Sequence, residues 1–233
     1  MTVILDKLRG GLIVSCQPVT GGPMDRPDIV AAFALAALDG GAVGLRIEGI
    51  ANLRAVRAVT DAPVIGLVKL DLTDSPIRIT PLIENVQGLI RAGADIVAVD
   101  ATERERPVPL PRLLMEIRAG GALAMADCAL PSDGQAARDL GFDVLGSTMS
   151  GYTGGPVPEG PDLDLVRALS AMGRFVVAEG RYQVPADAAA AMAAGADAVV
   201  AGSAITRPEH VTAWFVAAMR GAAGPQSPKG DGS

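Results

Sequence analysis

At 233 residues the chain has room for one large core, and a closed β/α barrel of this length forms a single domain. Hydrophobic residues make up 49% and charged residues 20%, with no uncharged apolar run near the roughly 20 residues that span a bilayer, so a soluble protein is expected. Twenty basic against 26 acidic residues leave a net charge of −6, which argues against nucleic acid and anionic membrane surfaces as partners.

The chain opens MTVILDKLRGGLIVSC, where Asp6, Lys7 and Arg9 separate two short apolar runs. This lacks the continuous apolar segment and small-residue cleavage site of a secretory leader, so a cytoplasmic location is expected. Cys16 and Cys128 have no metal-type spacing, and a reducing compartment would keep both as thiols.

In chain order, the first strand is expected in GLIVSC, followed by a helix over 27–39 and a second strand in GGAVGLRI. A helix over 51–59 leads to VIGLVK, and one over 81–92 leads to AGADIVAVD. Helices over 110–119 and 132–140 flank LAMADC, and LGFDVLGST comes next. A helix over 161–172 precedes FVVAEG, one over 185–194 precedes AGADAVVAG, and a last helix covers 208–219. Gly41, Gly93, Gly141 and Gly195 each stand where a helix ends and positive φ is needed, and the runs that follow are continuously apolar, as in strands buried on both faces. Strict alternation implies parallel strands with right-handed crossovers. The count of eight favours a closed (β/α)8 barrel, with an open doubly wound sheet as the competing arrangement. The barrel domain is expected over 1–220. The remaining 221–233, rich in Gly, Pro, Ser and charge, reads as a disordered tail.

In such a barrel the carboxyl ends of the strands converge on one face. Here they carry Cys16 and Gln17, Arg46, Lys69, Asp100, Asp127, Ser147 and Thr148, Glu179 with Arg181, and Gly202 with Ser203. Charged groups are seldom buried unless paired, so polar tips on apolar strands point to a functional pocket. Lys69 would face into the mouth, where burial and the cation Arg46 both favour a neutral amine, a usable base. Its bland alternative is a salt bridge to Asp71 or another loop carboxylate. Glu179 stands roughly across the mouth, and its bland alternative is an ion pair with Arg181.

After the last strand, GSAITRPEH combines glycine and small residues that let backbone amides approach a ligand. A short helix there would offer its positive end to phosphate. Gly180, Gly202 and Ser203 are therefore the expected phosphate-binding positions, with Arg207 as an added cation. His210, the single histidine, reads as a solvated residue rather than a base. With no HExxH, CxxC or dinucleotide glycine pattern, no metal and no cofactor is expected.

GLIVSCQP, GGAVGLRIEGI, PVIGLVK, AGADIVAVDAT, LAMADC, LGFDVLGSTMSGYT, VVAEGR and AGSAITRPEHVTAWF together resemble the N-acetylmannosamine-6-phosphate 2-epimerases over nearly the whole chain. The resemblance implies interconversion of N-acetylmannosamine-6-phosphate and N-acetylglucosamine-6-phosphate without added cofactor. The proton on the carbon bearing the acetamido group would leave and return through an enediolate-like anion. It also implies Lys69 as the acid/base and Glu179 as the second essential group, with Asp127 and Arg181 orienting the sugar. Gln17, Arg46 and Thr148 are further substrate-binding candidates, because a developing oxyanion needs donors held in place beforehand. Three departures stand out: Leu70 where the family usually has arginine after the lysine, Glu48 in RIEG where RANG is expected, and Ser203 in place of a second glycine. They leave room for another amino-sugar phosphate. The residues alone also fit a Schiff-base aldolase acting through Lys69, or a sugar-phosphate sensor without turnover. A homodimer is an open possibility, since alanine-rich helices such as 185–194 pack equally well on a partner or on the barrel.

Overall fold

The computed structural model describes residues 2–155 and 157–222. Eight strands, β1 (Leu12–Cys16), β2 (Gly44–Glu48), β3 (Val64–Leu67), β4 (Ile96–Asp100), β5 (Leu123–Asp127), β6 (Val144–Gly146), β7 (Phe175–Glu179) and β8 (Ala198–Ala201), pair in parallel and in sequence order into a closed barrel. The helices are α1 (Thr2–Leu8), α2 (Pro27–Asp39), α3 (Ile50–Arg57), α4 (Ile83–Arg91), α5 (Leu110–Ala119), α6 (Pro131–Leu140), α7 (Leu163–Ser170), α8 (Pro185–Ala193), α9 (Ser203–Thr206) and α10 (Pro208–Ala222). The expected helices from α2 onward are present with ends displaced by up to three residues. The last one runs through Ala222 and so takes in the first two residues assigned to a tail, while 223–233 lie outside the described residues.

The repeat has a physical origin. Gly41, Gly93, Gly141 and Gly195 adopt φ of 98°, 96°, 100° and 102°, the left-handed geometry that turns a helix into the next strand. In three of the four units an aspartate follows two residues later and ties down the start of the preceding strand. Asp95 accepts from Val64 N at 2.9 Å, Asp143 from Ala124 N at 2.9 Å and Asp197 from Val176 N at 2.8 Å. Each bond satisfies a backbone donor that the ladder leaves open at the sheet rim. In the first unit Val43 occupies this place and its own N–H donates to Leu12 O at 2.9 Å.

The barrel interior is filled by Ile13, Ile65, Leu67, Ile96, Leu123, Met125, Val144, Phe175, Val177 and Val200, all at most 5% exposed. A second apolar layer, including Leu89, Val97, Leu113, Phe142, Leu165 and Val176, lies between sheet and helices. α1 was not anticipated from the sequence. Its Leu8 joins the interior cluster and contacts the space beside Gly44 that a Cβ would fill, so a glycine at the start of β2 makes room for the plug. The apolar filling stops toward the carboxyl ends of the strands, where Arg46, Asp100, Asp127 and Glu179 take over.

Candidate active site

At that end lies a cavity of about 570 Å3. Of the residues singled out in the sequence, Gln17, Arg46, Lys69, Thr148, Glu179, Gly180, Arg181, Gly202, Ser203 and Arg207 line it. Asp127 does not. It is fully buried beneath the floor, so any part it plays in orienting a ligand runs through its neighbours rather than through contact. Among the described residues the lining holds Arg46, Lys69, Arg78, Arg104, Arg181 and Arg207 and one carboxylate, Glu179, while Asp127, Asp71 and Asp100 pair with Arg46, Arg78 and Arg104 from outside it.

Arg46, 1% exposed, forms the floor, and Asp127, 0% exposed, supports it from below. Arg46 Nη2 donates to Asp127 Oδ2 at 2.6 Å and Nη1 to Oδ1 at 3.3 Å, the two-point geometry suited to a planar guanidinium. Gly146 leaves space for this pair, since a Cβ there would stand 3.2 Å from Asp127 Oδ1 and against the Met125 methyl. Thr148 donates to Asp127 Oδ1 at 2.7 Å and lies 3.3 Å from Glu179 Oε2. Arg46 Nε is 3.1 Å from the same Glu179 oxygen, but off the N–H axis, so the contact is one of charge rather than a formed hydrogen bond. Glu179 is fixed through its backbone by Ser147, whose hydroxyl donates to Glu179 O at 2.9 Å and accepts from Glu179 N at 3.0 Å.

Lys69 lies beyond the end of β3 rather than inside it, held by an isolated antiparallel bridge to Ile79. Its Nζ donates to Gln17 Oε1 at 2.6 Å, and Gln17 Nε2 donates to Ser15 Oγ at 2.8 Å, which fixes the amide orientation. Removal of the amine from water, and then the Arg46 charge, hold the Lys69 pKa below that of a free lysine although the residue stays accessible from the mouth, while Glu179 and Glu48 pull the other way. Glu48 Oε1 also accepts from Lys69 N at 3.3 Å. Burial pushes the Glu179 carboxyl above its usual range, against the opposing pull of Arg46, and nearby Asp127 adds to the rise. Neither bland alternative is realised: Asp71 pairs with Arg78, and Arg181 turns to backbone carbonyls.

At the β8 side, Gly202 and Ser203 open α9, whose first backbone bond runs from Ile205 N to Gly202 O at 2.8 Å. The Ser203 N–H precedes it at the cavity wall. The backbone of Gly202 comes close to β1, where a Cβ would meet Ser15 Cβ at 3.2 Å, and Thr206 anchors the turn through its hydroxyl to Ser15 O at 2.7 Å. Arg207 Nε donates to Gln17 O at 2.7 Å, linking this turn to the partner of Lys69. His210 is half-buried and lines the cavity, contrary to the expectation of a solvated residue, and so does Trp214 one turn later. Their i, i+4 spacing on the helix that follows the phosphate-type turn was the signal available in the sequence. Tyr152, Arg78 and Arg104 were also missed. Among the described residues no group of three or more His, Cys, Asp or Glu is placed to hold a metal.

A closed (β/α)8 barrel with a tuned lysine and carboxylate facing one cavity, beside a glycine-serine turn after β8, defines a barrel enzyme of the small sugar-phosphate class. The sequence profile described as "Putative N-acetylmannosamine-6-phosphate epimerase" matches residues 30–221. A protein of Shigella dysenteriae serotype 1 (strain Sd197) named "Putative N-acetylmannosamine-6-phosphate 2-epimerase" is 59% identical over 211 residues, 91% of this chain and 92% of its own. One of the same name from Escherichia coli O9:H4 (strain HS) is 58% identical over the same span. The solved structure of the N-acetylmannosamine-6-phosphate 2-epimerase from Clostridium perfringens superposes with a TM-score of 0.89 at 36% identity, covering 92% of this chain and 95% of that one. The chain belongs to the N-acetylmannosamine-6-phosphate epimerase family.

Proposed function

We propose that the protein interconverts N-acetylmannosamine-6-phosphate and N-acetylglucosamine-6-phosphate, with Lys69 and Glu179 moving the proton at C2 of the ring-opened sugar. The observation that carries this reading is the placement of the two groups. Lys69 follows β3 and Glu179 ends β7, half a barrel apart, and they face one cavity in which Lys69 is shifted toward its neutral form and Glu179 toward its protonated form. Neutral Lys69 takes the C2 proton. The C–H electron pair becomes the C1–C2 double bond and the carbonyl electrons move to O1, an enolate because C2 carries nitrogen. Protonated Glu179 delivers a proton to the opposite face and C2 is inverted, and the reverse reaction exchanges the roles. Arg46, held by Asp127 and through it by Thr148, supplies positive charge for O1, and the Gln17 amide N–H that Ser15 leaves open supplies a hydrogen bond. The amides that open α9, with Gly180 and Arg207, take the phosphate.

Proton NMR of N-acetylmannosamine-6-phosphate in heavy water tests the reading with the wild type, Lys69→Ala and Glu179→Ala. The other epimer should appear with deuterium at C2 in the wild type and in neither variant. Undiminished activity in Lys69→Ala would remove the assignment.

No helix among the described residues is long and apolar enough to cross a membrane. A cytoplasmic location suits the two buried free thiols, Cys16 and Cys128. A homodimer is supported less by the alanine-rich α8 than by α10, where Phe215 and Met219 are 69% and 72% exposed beside Val216. Sedimentation of the wild type and of Phe215→Glu/Met219→Glu should give a dimer and a monomer respectively.

A further inference from the structure

Arg181, which the family resemblance implies for orienting the sugar, spends its guanidinium on the chain. Nε donates to Gly160 O at 2.7 Å, Nη1 to Ser150 O at 2.8 Å, and Nη2 reaches Ser150 Oγ at 3.4 Å. Three of its five donors thus grip the two ends of the 150–160 segment. The anchor is reinforced below. Ser150, 3% exposed, donates from Oγ to Asp162 Oδ2 at 2.6 Å, and Asp162 Oδ1 accepts from Leu165 N at 3.0 Å and so caps α7.

Two features show that the grip is built rather than incidental. Arg181 has φ of +61°, a conformation seldom adopted by residues with a Cβ, directly after Gly180 at +115°. Gly151, at φ +79°, packs so closely under the guanidinium that a Cβ would stand 3.3 Å from Nη1 and 2.8 Å from Pro158 Cδ. The residue carried by this anchored turn is Tyr152, whose N–H donates to Met149 O at 2.9 Å. Its side chain lines the cavity yet is 61% exposed, an aromatic surface with little protein packed on it.

We propose that Arg181 is a positioning residue that sets Tyr152 as a binding surface for the sugar by clamping both ends of the segment from Ser150 to Gly160. The phenol ring covers an apolar face of the sugar, and Arg181 acts on the substrate through Ser150 and Tyr152 instead of touching it. The identity of that sugar rests on the function proposed above. The clamp itself does not.

A double-mutant cycle decides the matter. Tyr152→Ala and Arg181→Met should each raise KM about tenfold with little change in kcat, the worth of one aromatic contact. The double variant should be no worse than either alone, and Tyr152→Phe should restore the wild-type KM. Binding can be followed without turnover through Trp214, the single tryptophan, which lines the cavity. Additive effects, an unchanged KM in Tyr152→Ala, or a loss of kcat alone in Arg181→Met would overturn the proposal. Tyr152→Ala alters an exposed side chain, so that arm stands even if Arg181→Met fails to fold. Chymotrypsin cleavage after Tyr152 needs no substrate and should be several-fold faster in Arg181→Lys, whose single amine cannot hold both carbonyls, and an equal rate would overturn the clamp. Should the wild type neither bind nor epimerise N-acetylmannosamine-6-phosphate, the substrate assignment fails while the cleavage result still decides the role of Arg181.

Discussion

Asp127 grips Arg46 at two points, 2.6 and 3.3 Å, inside the barrel, and neither residue is more than 1% exposed. A buried guanidinium stripped of one carboxylate keeps the off-axis contact with Glu179 and a weak hydrogen bond from Nη1 to Met125 Sδ at 3.4 Å. Asp127→Ala should therefore lose about 3 kcal/mol of stability in urea unfolding, within the range for breaking a buried pair. It should also lower kcat roughly a hundredfold, since a donor displaced by about 1 Å no longer meets the developing oxyanion. A variant that unfolds like the wild type would show that the pair is not structural.

Glu48, the acidic residue where the family pattern suggested none, bonds the Lys69 N–H and favours the lysine's charged form. The proposed reaction needs the neutral amine, so kcat/KM rises with pH through the Lys69 pKa, which already lies below that of free lysine. Glu48→Gln keeps an acceptor but removes the charge. The rising limb should move to lower pH, and a shift to higher pH or none would contradict the electrostatic role given to Glu48.

Arg207, proposed above to meet the phosphate, holds the Gln17 carbonyl through Nε. Arg207→Met should raise KM for the phosphorylated sugar by about ten- to a hundredfold, the worth of a charge-assisted hydrogen bond, with a smaller effect on kcat. Steady-state kinetics check this, and an unchanged KM would place the phosphate elsewhere.

Much of the barrel was legible because its strands are short apolar runs buried on both faces and each repeat unit ends its helix on a left-handed glycine. The aspartates after Gly93, Gly141 and Gly195 were visible as part of the repeat, but their bonds to Val64, Ala124 and Val176 cross between elements and no local pattern announces them. The same holds for α1, whose seven residues gain their place through Leu8 entering the barrel beside Gly44. Lys69 was placed at a strand end, yet the strand stops at Leu67 and a bridge to Ile79, ten residues later, sets the lysine. Among the site candidates, the residues facing the cavity could be read from the strand tips. That Asp127 lies under the floor while Arg181 turns to Ser150 and Gly160 could not, because side-chain direction there is decided by partners distant in sequence.

Exchange without epimerisation tests the partnership of Lys69 and Glu179 most directly. Glu179→Gln, incubated in heavy water separately with N-acetylmannosamine-6-phosphate and with N-acetylglucosamine-6-phosphate, should exchange the C2 proton of only the epimer that Lys69 addresses and form almost none of the other. Lys69→Met should show the complementary preference. Epimer formation by Glu179→Gln at the wild-type rate, or equal exchange of both epimers by that variant, would contradict a mechanism in which the two residues work on opposite faces of one carbon.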